Sequence, residues 1–487
     1  MIRSLQTSFR IWSIIYARIK GINMKLNDTI AAIATPRGAG GVAIIRISGE
    51  FAEEIAAKIV KPNNKKSVTE LKNRQLTLCQ ITSGEDNGFL IDEALVAVMR
   101  APKSYTGENV VEINCHGGFL AADKILGALL KSGARLAEAG EFTRRAFING
   151  KTDLSGAEAV MDMMNSHTES GLHNAAMSLT GAIRKKIEPL RNSVMELAAH
   201  ISAAADYPDE VDLPEPEEMQ IKLYELIAKT ESLLGGFETG RMLRDGVRTA
   251  IVGKPNVGKS SVLNALLRCE RAIVTDIPGT TRDTIEEFIS IGGVALQLSD
   301  TAGIRDSADE VEKIGIERSK ENLRGADLCL FVIDASGEIT DEDREVAEAL
   351  GGKKTIVILN KTDKQIVTDE KTVGELGLAC EAIVKTSAPK GVAASGIDEL
   401  ERVISDMFVS GKVNPDEVYI ANERQRDCLL KAKAALSSAA DGLSALMPTD
   451  LVFVDLEDAL ASLGEVTGET VQEEIIDNVF ARFCVGK

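Results

Sequence analysis

GKPNVGKS, residues 253–260, is the stretch that decides how this chain reads. Its spacing fits G-x-x-x-x-G-K-[ST], a loop whose backbone N–H groups wrap phosphates. In that pattern Lys259 reaches the outer phosphates and the Ser260 hydroxyl ligates Mg²⁺. The flanks suit the task. VRTAIV (247–252) is β-branched and apolar, as a buried strand requires, and SSVLNALL (260–267) has apolar residues at helical spacing. The loop is therefore expected between a strand and a helix N-terminus, where backbone N–H groups and the helix dipole favour an anion. Asn256, Val257, Gly258, Lys259, Ser260 and Ser261 are its candidate nucleotide contacts.

Four further elements follow in the order a GTPase domain requires, and their coincidence carries more weight than the loop alone. TDIPGTTRD (275–283) supplies Thr275, Asp276, Ile277, Pro278, Gly279, Thr280 and Thr281, with hydroxyls able to meet Mg²⁺ and the γ-phosphate. DTAG supplies Asp300 on the metal side, then Thr301, Ala302 and the Gly303 N–H for the phosphate. NKTD, with Asn360, Lys361 and Asp363, ends the apolar run TIVIL. The Asp363 carboxylate there can accept both donors of a guanine edge and would stay unpaired against adenine. Ser387 and Ala388 match the short loop that contacts the guanine oxygen. Ile304 stands where small signalling GTPases carry a water-orienting glutamine, so another group must orient water. The acids Asp306, Asp309, Glu310 and Glu312 are the candidates, and Arg282 and Arg305 are the nearby cations.

Moving outward, 487 residues imply about three domains. Lys+Arg of 56 against Asp+Glu of 74 gives a net charge of -18, which argues against a generic phosphate-coating nucleic-acid binder but permits a local basic patch. Seven scattered cysteines without C-x-x-C point to a reduced cytosol rather than a disulfide framework or zinc site, so a cytoplasmic location is expected. No run approaches the length of a membrane span. Residues 1–23 carry cations and no acid. They read as a targeting segment or, preferably, as an extension before a true start at Met24.

Residues 28–118 are strand-rich, and GAGG (38–41) reads as a tight turn. From residue 155 to 205 the spacing turns helical, with Met161, Met163 and Met164 expected in the core. DYPDEVDLPEPEE (206–218) breaks the helical pattern as a loop. A βα alternation spans 246 to about 407, and helix resumes from Asn422 to the end.

GKPNVGKSS, TDIPGTTRD, DTAGIRDSADEVEKIGIERS and the terminal FCVGK together resemble the MnmE/TrmE family of tRNA modification GTPases. DTIAAIATPRGAGGVAIIRISG, SYTGENVVEINCHGG and GEFTRRAFINGKTDLSGAEAV agree from outside the GTPase core, so the likeness covers nearly all of residues 25–487. A ribosome-assembly or regulatory GTPase without base chemistry becomes the lesser reading. Departures are few: Ala139 stands where relatives often carry proline, and the segment before Met24 is unmatched.

The resemblance implies a multidomain α/β and α+β fold, a P-loop GTPase domain inserted in an all-α helical domain and preceded by a strand-rich folate-binding-like domain. The expected divisions are 24–145 for the tetrahydrofolate-binding-like part, 146–245 and 411–487 for the two helical parts, and 246–410 for the GTPase. It further implies K⁺ held by Asn256, Thr275, Ile277 and Thr280, Mg²⁺ held by Ser260 and Thr281, and water oriented by Glu312. K⁺ would then replace an arginine finger when two GTPase domains meet. A 5-formyl- or 5,10-methylene-tetrahydrofolate would fall on Arg46, Glu112, Lys151 and Lys487. Cys484 in FCVGK becomes the thiol to act as nucleophile or acid on the modified base. The implied reaction places an aminomethyl or carboxymethylaminomethyl group on carbon 5 of the wobble uridine of certain tRNAs. It involves a homodimer and an FAD-dependent partner of the MnmG/GidA type in a heterotetramer. This chain has no strand-linked G-x-G-x-x-G of its own, in keeping with flavin on the partner.

Overall fold

The computed structural model describes residues 28–36, 38–84, 88–268, 287–298, 323, 325–388, 394–409 and 413–487. They fall into two compact units, one reaching to Thr152 and including Gln472–Lys487, the other Asp153–Val471.

In the first unit, alternation of apolar and polar residues sets the sheet. Strands β1 (Ile30–Ile33), β2 (Val42–Ser48), β3 (Val60–Pro62), β4 (Thr77–Thr82), β5 (Leu90–Met99), β6 (Val110–His116) and β7 (Arg135–Leu136) pair in the order β3-β4-β5-β6-β2-β1-β7. Every second residue of the central strands, Ile45 and Ile47 on β2, Val111 and Ile113 on β6, Val96 and Val98 on β5, is fully buried. That period of two turns one face toward helices α1 (Ala52–Ala57) and α2 (Phe119–Lys131), whose Ile55, Ile125 and Leu129 complete the core. The intervening residues form the opposite face, where the register sets Arg46 against Glu112 and Glu112 against Ala97.

Helix α3 (Glu141–Ile148) follows β7 and carries Arg145, a guanidinium only 3% exposed. Asp28, Glu108 and Glu141 surround it, at 2.7 Å for Asp28 and 2.9 Å for Glu141. A charge so deeply buried is tolerable only with such partners. Burial pushes the Asp28 and Glu141 carboxyls up, but hydrogen bonds from Arg135 and Arg145 outweigh it and hold both below their ordinary values.

The chain's last segment, Gln472–Lys487, clusters with the N-terminal unit. The reason is local packing. In helix Glu473–Phe480, Phe480 meets the Phe147 ring of α3 at 6.3 Å and Asp477 pairs with Arg144 at 2.6 Å. Beyond it Val485 bridges Ala139 in antiparallel fashion, and the Phe142 N–H donates to the Lys487 carbonyl at 3.0 Å. Gly486 adopts φ +100°, and a Cβ there would collide with the Ile33 carbonyl, so the turn admits only glycine.

The second unit begins with helices α4 (Leu154–Met164), α5 (Glu169–Leu179), α6 (Ala182–Asp206), α7 (Pro216–Gly235) and α8 (Phe237–Asp245). A nucleotide-type sheet follows. Its parts are β8 (Val247–Val252), α9 (Lys259–Arg268), β9 (Glu287–Ile291), β10 (Val294–Leu298), β11 (Leu328–Asp334), α10 (Asp341–Ala349), β12 (Thr355–Asn360), α11 (Glu370–Gly374), β13 (Ala382–Lys385) and α12 (Ile397–Phe408). Helices α13 (Glu423–Ser444) and α14 (Thr449–Thr467) then return to α6 and α7, so the sheet is an insertion within a helical layer. The seam explains the return. On α6, Ile183, Ile187, Leu190, Val194, Leu197 and Ile201 recur at alternating four- and three-residue steps, and the stripe packs with Leu429 and Leu436 of α13 and Leu456 and Leu463 of α14. Met163 and Met164, expected in the core, are instead 40% and 47% exposed at the end of α4, because the helix is buried all round over its first six residues, Leu154 to Ala159, and emerges at its last turn.

Strand order in the inserted sheet is β13-β12-β11-β8-β10-β9, parallel except for the β9–β10 pair. Leu330, Phe331 and Val332 of β11 are fully buried, as a strand covered on both faces demands. After β8 the chain crosses to β10 on one side, while β11 lies on the other. The loop leaving β8 thus sits at a topological switch point, the usual place for a ligand in such sheets.

Candidate functional site

The phosphate loop leaves β8 at Gly253 and enters α9 at Lys259. Asn256 has φ +64° and Gly258 φ +100°, left-handed conformations that turn successive N–H groups inward as an anion nest. Lys259 Nζ folds back to donate to the carbonyls of Gly253 at 2.7 Å and Lys254 at 2.9 Å. Burial holds its ammonium below the usual lysine pKa, so this cation is poorly solvated and primed for phosphate oxygens. Lys254 Nζ in turn reaches Asp343 Oδ2 at 2.6 Å and Thr340 Oγ1 at 3.1 Å, pinning the loop to the first turn of α10. Asp343 is fully buried and also accepts from the Thr340 N–H at 2.9 Å.

The base side is tied to the same loop. Asn360 Nδ2 donates to the Val257 carbonyl at 2.9 Å and its Oδ1 accepts from Thr386 Oγ1 at 3.2 Å. A Cβ on Gly258 would strike Asn360 Nδ2, which is why this close approach needs glycine. Lys361, itself at φ +64°, donates to the Asn256 carbonyl at 2.7 Å and pairs with Asp334 at 2.6 Å. Ser387 Oγ donates to Asp363 Oδ1 at 2.6 Å, and this hydrogen bond holds the exposed Asp363 carboxyl below its usual value. An ionised, acceptor-only carboxylate at this edge suits the paired donors of guanine. Ala388 follows on the same short loop, and Ser387 is fixed by a two-way backbone bridge to Ser395. Lys259, Ser260 and Ser261 open α9.

Within the N-terminal unit, Arg46, Glu112 and the chain end converge. Arg46 Nε pairs with Glu112 Oε1 at 2.8 Å and Nη1 donates to the Gly486 carbonyl at 3.4 Å. Its guanidinium lies 5.1 Å from the Tyr105 ring centroid and 5.6 Å from that of Phe142, a cation between aromatic faces. Lys151 Nζ donates to the Pro102 carbonyl at 3.1 Å on the neighbouring β5–β6 loop, and Lys487 is partly buried. Arg46, Glu112 and Tyr105 thus meet on the open sheet face, where a carboxylate acceptor beside an aromatic ring fits a pterin edge, while no hydrogen bond or ion pair among the described residues joins Lys151 or Lys487 to them. Cys484 is exposed, whereas burial pushes the thiols of Cys79, Cys329 and Cys428 up to about 11.

Thr275, Asp276, Ile277, Pro278, Gly279, Thr280, Thr281, Asp300, Thr301, Ala302, Gly303 and Glu312 lie outside the described residues, as do Ile304 and its neighbouring acids. Sequence reading missed Asp334, Asp343 and Tyr105. Asp334 had a signal, since LCLFVID ends its apolar run on an acid beside the strand of NKTD. Asp343 had none, because its role depends on where α10 starts in space. Among the described residues no helix is long and apolar enough to cross a membrane.

Comparison with known proteins agrees with this geometry. Residues 29–151 match the model of the GTP-binding protein TrmE N-terminus, and residues 154–484 match that of the MnmE helical domain. The chain is 47% identical over 467 residues to the tRNA modification GTPase MnmE of Clostridioides difficile, covering 95% of this chain and all of that protein. It is 45% identical over 463 residues to the protein of the same name from Geobacillus kaustophilus, covering 94% and 99% of the two. A phosphate loop and guanine edge inserted in a helical layer, behind a matching N-terminal unit, place the chain in the MnmE/TrmE family of tRNA modification GTPases.

Proposed function

We propose that this protein is a potassium-stimulated GTPase, activated by dimerisation of its GTPase domains. With an FAD-dependent partner it installs an aminomethyl or carboxymethylaminomethyl group at carbon 5 of the wobble uridine of certain tRNAs. The observation that carries the base chemistry is the meeting of Arg46 and Glu112 with Gly486, two residues from the exposed Cys484. A tetrahydrofolate held by Arg46, Glu112, Lys151 and Lys487 would supply the one-carbon unit. Glu112 would accept from the pterin edge, the cations would hold the acidic tail, and the Cys484 thiol would serve as nucleophile or acid toward the base.

On the GTPase side, Lys259 would leave the Gly253 and Lys254 carbonyls for the outer phosphates, and Ser260 with Thr281 would hold Mg²⁺. Asn256, Thr275, Ile277 and Thr280 would hold K⁺ in place of an arginine finger, with Glu312 orienting water. Loss of γ-phosphate contacts would then release residues 275–281 and drive the conformational step. The proposed assembly is a homodimer joined to the partner in a heterotetramer, acting in the cytoplasm.

The test is twofold. GTP hydrolysis should be much faster in potassium than in sodium and should collapse in Asn256→Ala and Glu312→Ala; equal rates in both salts overturn the cation assignment. Nucleoside analysis of tRNA from cells carrying Cys484→Ser should show loss of the wobble modification, and normal modification removes the thiol from the mechanism.

A further inference from the structure

The open face of the N-terminal sheet contains a cleft of about 420 Å³ lined by groups of both charges. Glu112 lies among its lining residues beside Ala97, its partner in register on β5, and Tyr105 adds an aromatic wall. Arg74 and Lys103 supply cations to the same cleft, with Met99 between the strands' ends. Arg74 is held in place: its guanidinium donates to the Lys103 carbonyl, at 3.2 Å through Nε, and its N–H donates to the Val98 carbonyl at 2.8 Å. Loop and strand therefore hold the Arg74 guanidinium against the backbone of Lys103.

The cations do not stop there. Strand β3 ends, β4 begins, β5 ends and β6 begins at one end of the sheet, so the β3–β4 and β5–β6 loops gather there. The first loop brings Lys65, Lys66 and Lys72 as well as Arg74, all exposed, and the second brings Lys103. Glu70 is the single acid of residues 63–76, and its carboxylate is occupied by the Ser67 N–H at 2.9 Å. In a chain of net charge -18 this is a local inversion of sign.

A ligand matching both features has a hydrogen-bonding edge for a carboxylate at one end and a run of negative charges leaving from the other. We propose that the strip Lys65, Lys66, Lys72, Arg74 and Lys103 is a subsite for the γ-linked polyglutamate tail of a reduced folate, an inference that rests on the folate reading above. Glu112 and Arg46 take the head, Arg74 and Lys103 meet the first tail carboxylates, and the β3–β4 loop lysines meet those that follow. An RNA backbone is the less favoured occupant, because the Glu112 carboxylate that lines the cleft accepts hydrogen bonds and suits the donor edge of a bound head group rather than a phosphate.

Exposed ion pairs are individually weak, so each added glutamate should tighten binding only about two- to fivefold, and the gain should shrink as salt rises. The test titrates the full-length protein with 5-formyltetrahydrofolate bearing one or three glutamates. The triglutamate should bind roughly tenfold more tightly, and the ratio should fall to about two- to threefold in Lys72→Gln/Lys103→Gln, which leaves Arg74 and its loop contacts in place. Equal affinities in the unsubstituted protein overturn the inference while leaving the folate site standing. Failure of the monoglutamate to bind defeats the folate reading and this inference with it. A variant that keeps the tail preference but loses affinity for tRNA assigns the strip to RNA and likewise overturns it.

Discussion

Replacing Asp343 with Asn keeps the side chain's shape and removes the charge that pins the phosphate loop. Asp343 is fully buried, and its Oδ2 takes three hydrogen bonds, from Lys254 Nζ at 2.6 Å, the Thr340 N–H at 2.9 Å and Thr340 Oγ1 at 3.0 Å. Its Oδ1 is buried without a hydrogen-bond partner among the described residues. An asparagine must therefore choose between two losses. If its oxygen faces Lys254, its Nδ2 is buried without an acceptor; if the amide turns round, two donors face each other. A hydrogen bond to a charged partner is worth about 1.5–3 kcal/mol, so a loss of about 2 kcal/mol in the loop's anchoring follows. Lys254 can recover part of it from water, being 18% exposed.

The nucleotide feels the remainder, because the Lys254 carbonyl is one of the two groups that hold Lys259. About 1 kcal/mol transmitted corresponds to roughly fivefold weaker GDP binding. Fluorescence titration with a labelled GDP measures it, and a cycle with Lys254→Met isolates the pair: the double variant should be scarcely worse than either single one. Wild-type affinity in Asp343→Asn, or strictly additive losses in the cycle, would refute the pinning argument.

Two further outcomes follow from the described geometry. Asp363→Asn should weaken GTP binding about 100-fold, since an amide donor would face the guanine donors where a charged acceptor stood, and xanthosine triphosphate should become the better ligand; retained GTP preference in a competition assay would contradict the base-edge assignment. In the N-terminal unit Asp28 and Glu141 sit below their ordinary values of 3.8 and 4.5, so their stabilisation is complete above those values and disappears as pH falls through the depressed folded ones. Circular dichroism melts should then show an acid limb starting below about pH 4.5 and shallower in Arg135→Met, which removes the larger lowering contact of both carboxyls; a loss centred between pH 5 and 7 that Glu141→Gln abolishes would count against it.

Much of the nucleotide domain is legible in sequence because its groups act through backbone at fixed short spacings. Gly258 and Lys259 are neighbours in the loop they build, and Asn360, Lys361 and Asp363 share one strand end. The N-terminal constellation is different in kind. Arg46 and Glu112 face each other only because β2 and β6 pair antiparallel in one register, and a slip of either strand by one residue would send its member of the pair to the covered face. Nothing local announces that, and only family likeness singled them out. The same limit explains Gln472–Lys487: its helical spacing was readable, but the choice of α3 as packing partner depends on Phe147, Arg144 and Phe142, more than three hundred residues upstream. Met163 and Met164 misled for the opposite reason, since apolar spacing says which residues suit a buried stripe and not where along its length a short helix emerges.

The contact between Arg46 and Gly486 joins residues 440 positions apart. Synthesis runs from one end, so the strands of the N-terminal unit are made long before the segment that completes it. Until translation has passed the entire GTPase and the return helices, Phe142 lacks its acceptor at Lys487 and Arg46 its carbonyl at Gly486. A nascent or prematurely ended chain therefore lacks these closing contacts of the N-terminal sheet even after every strand of that sheet has been made.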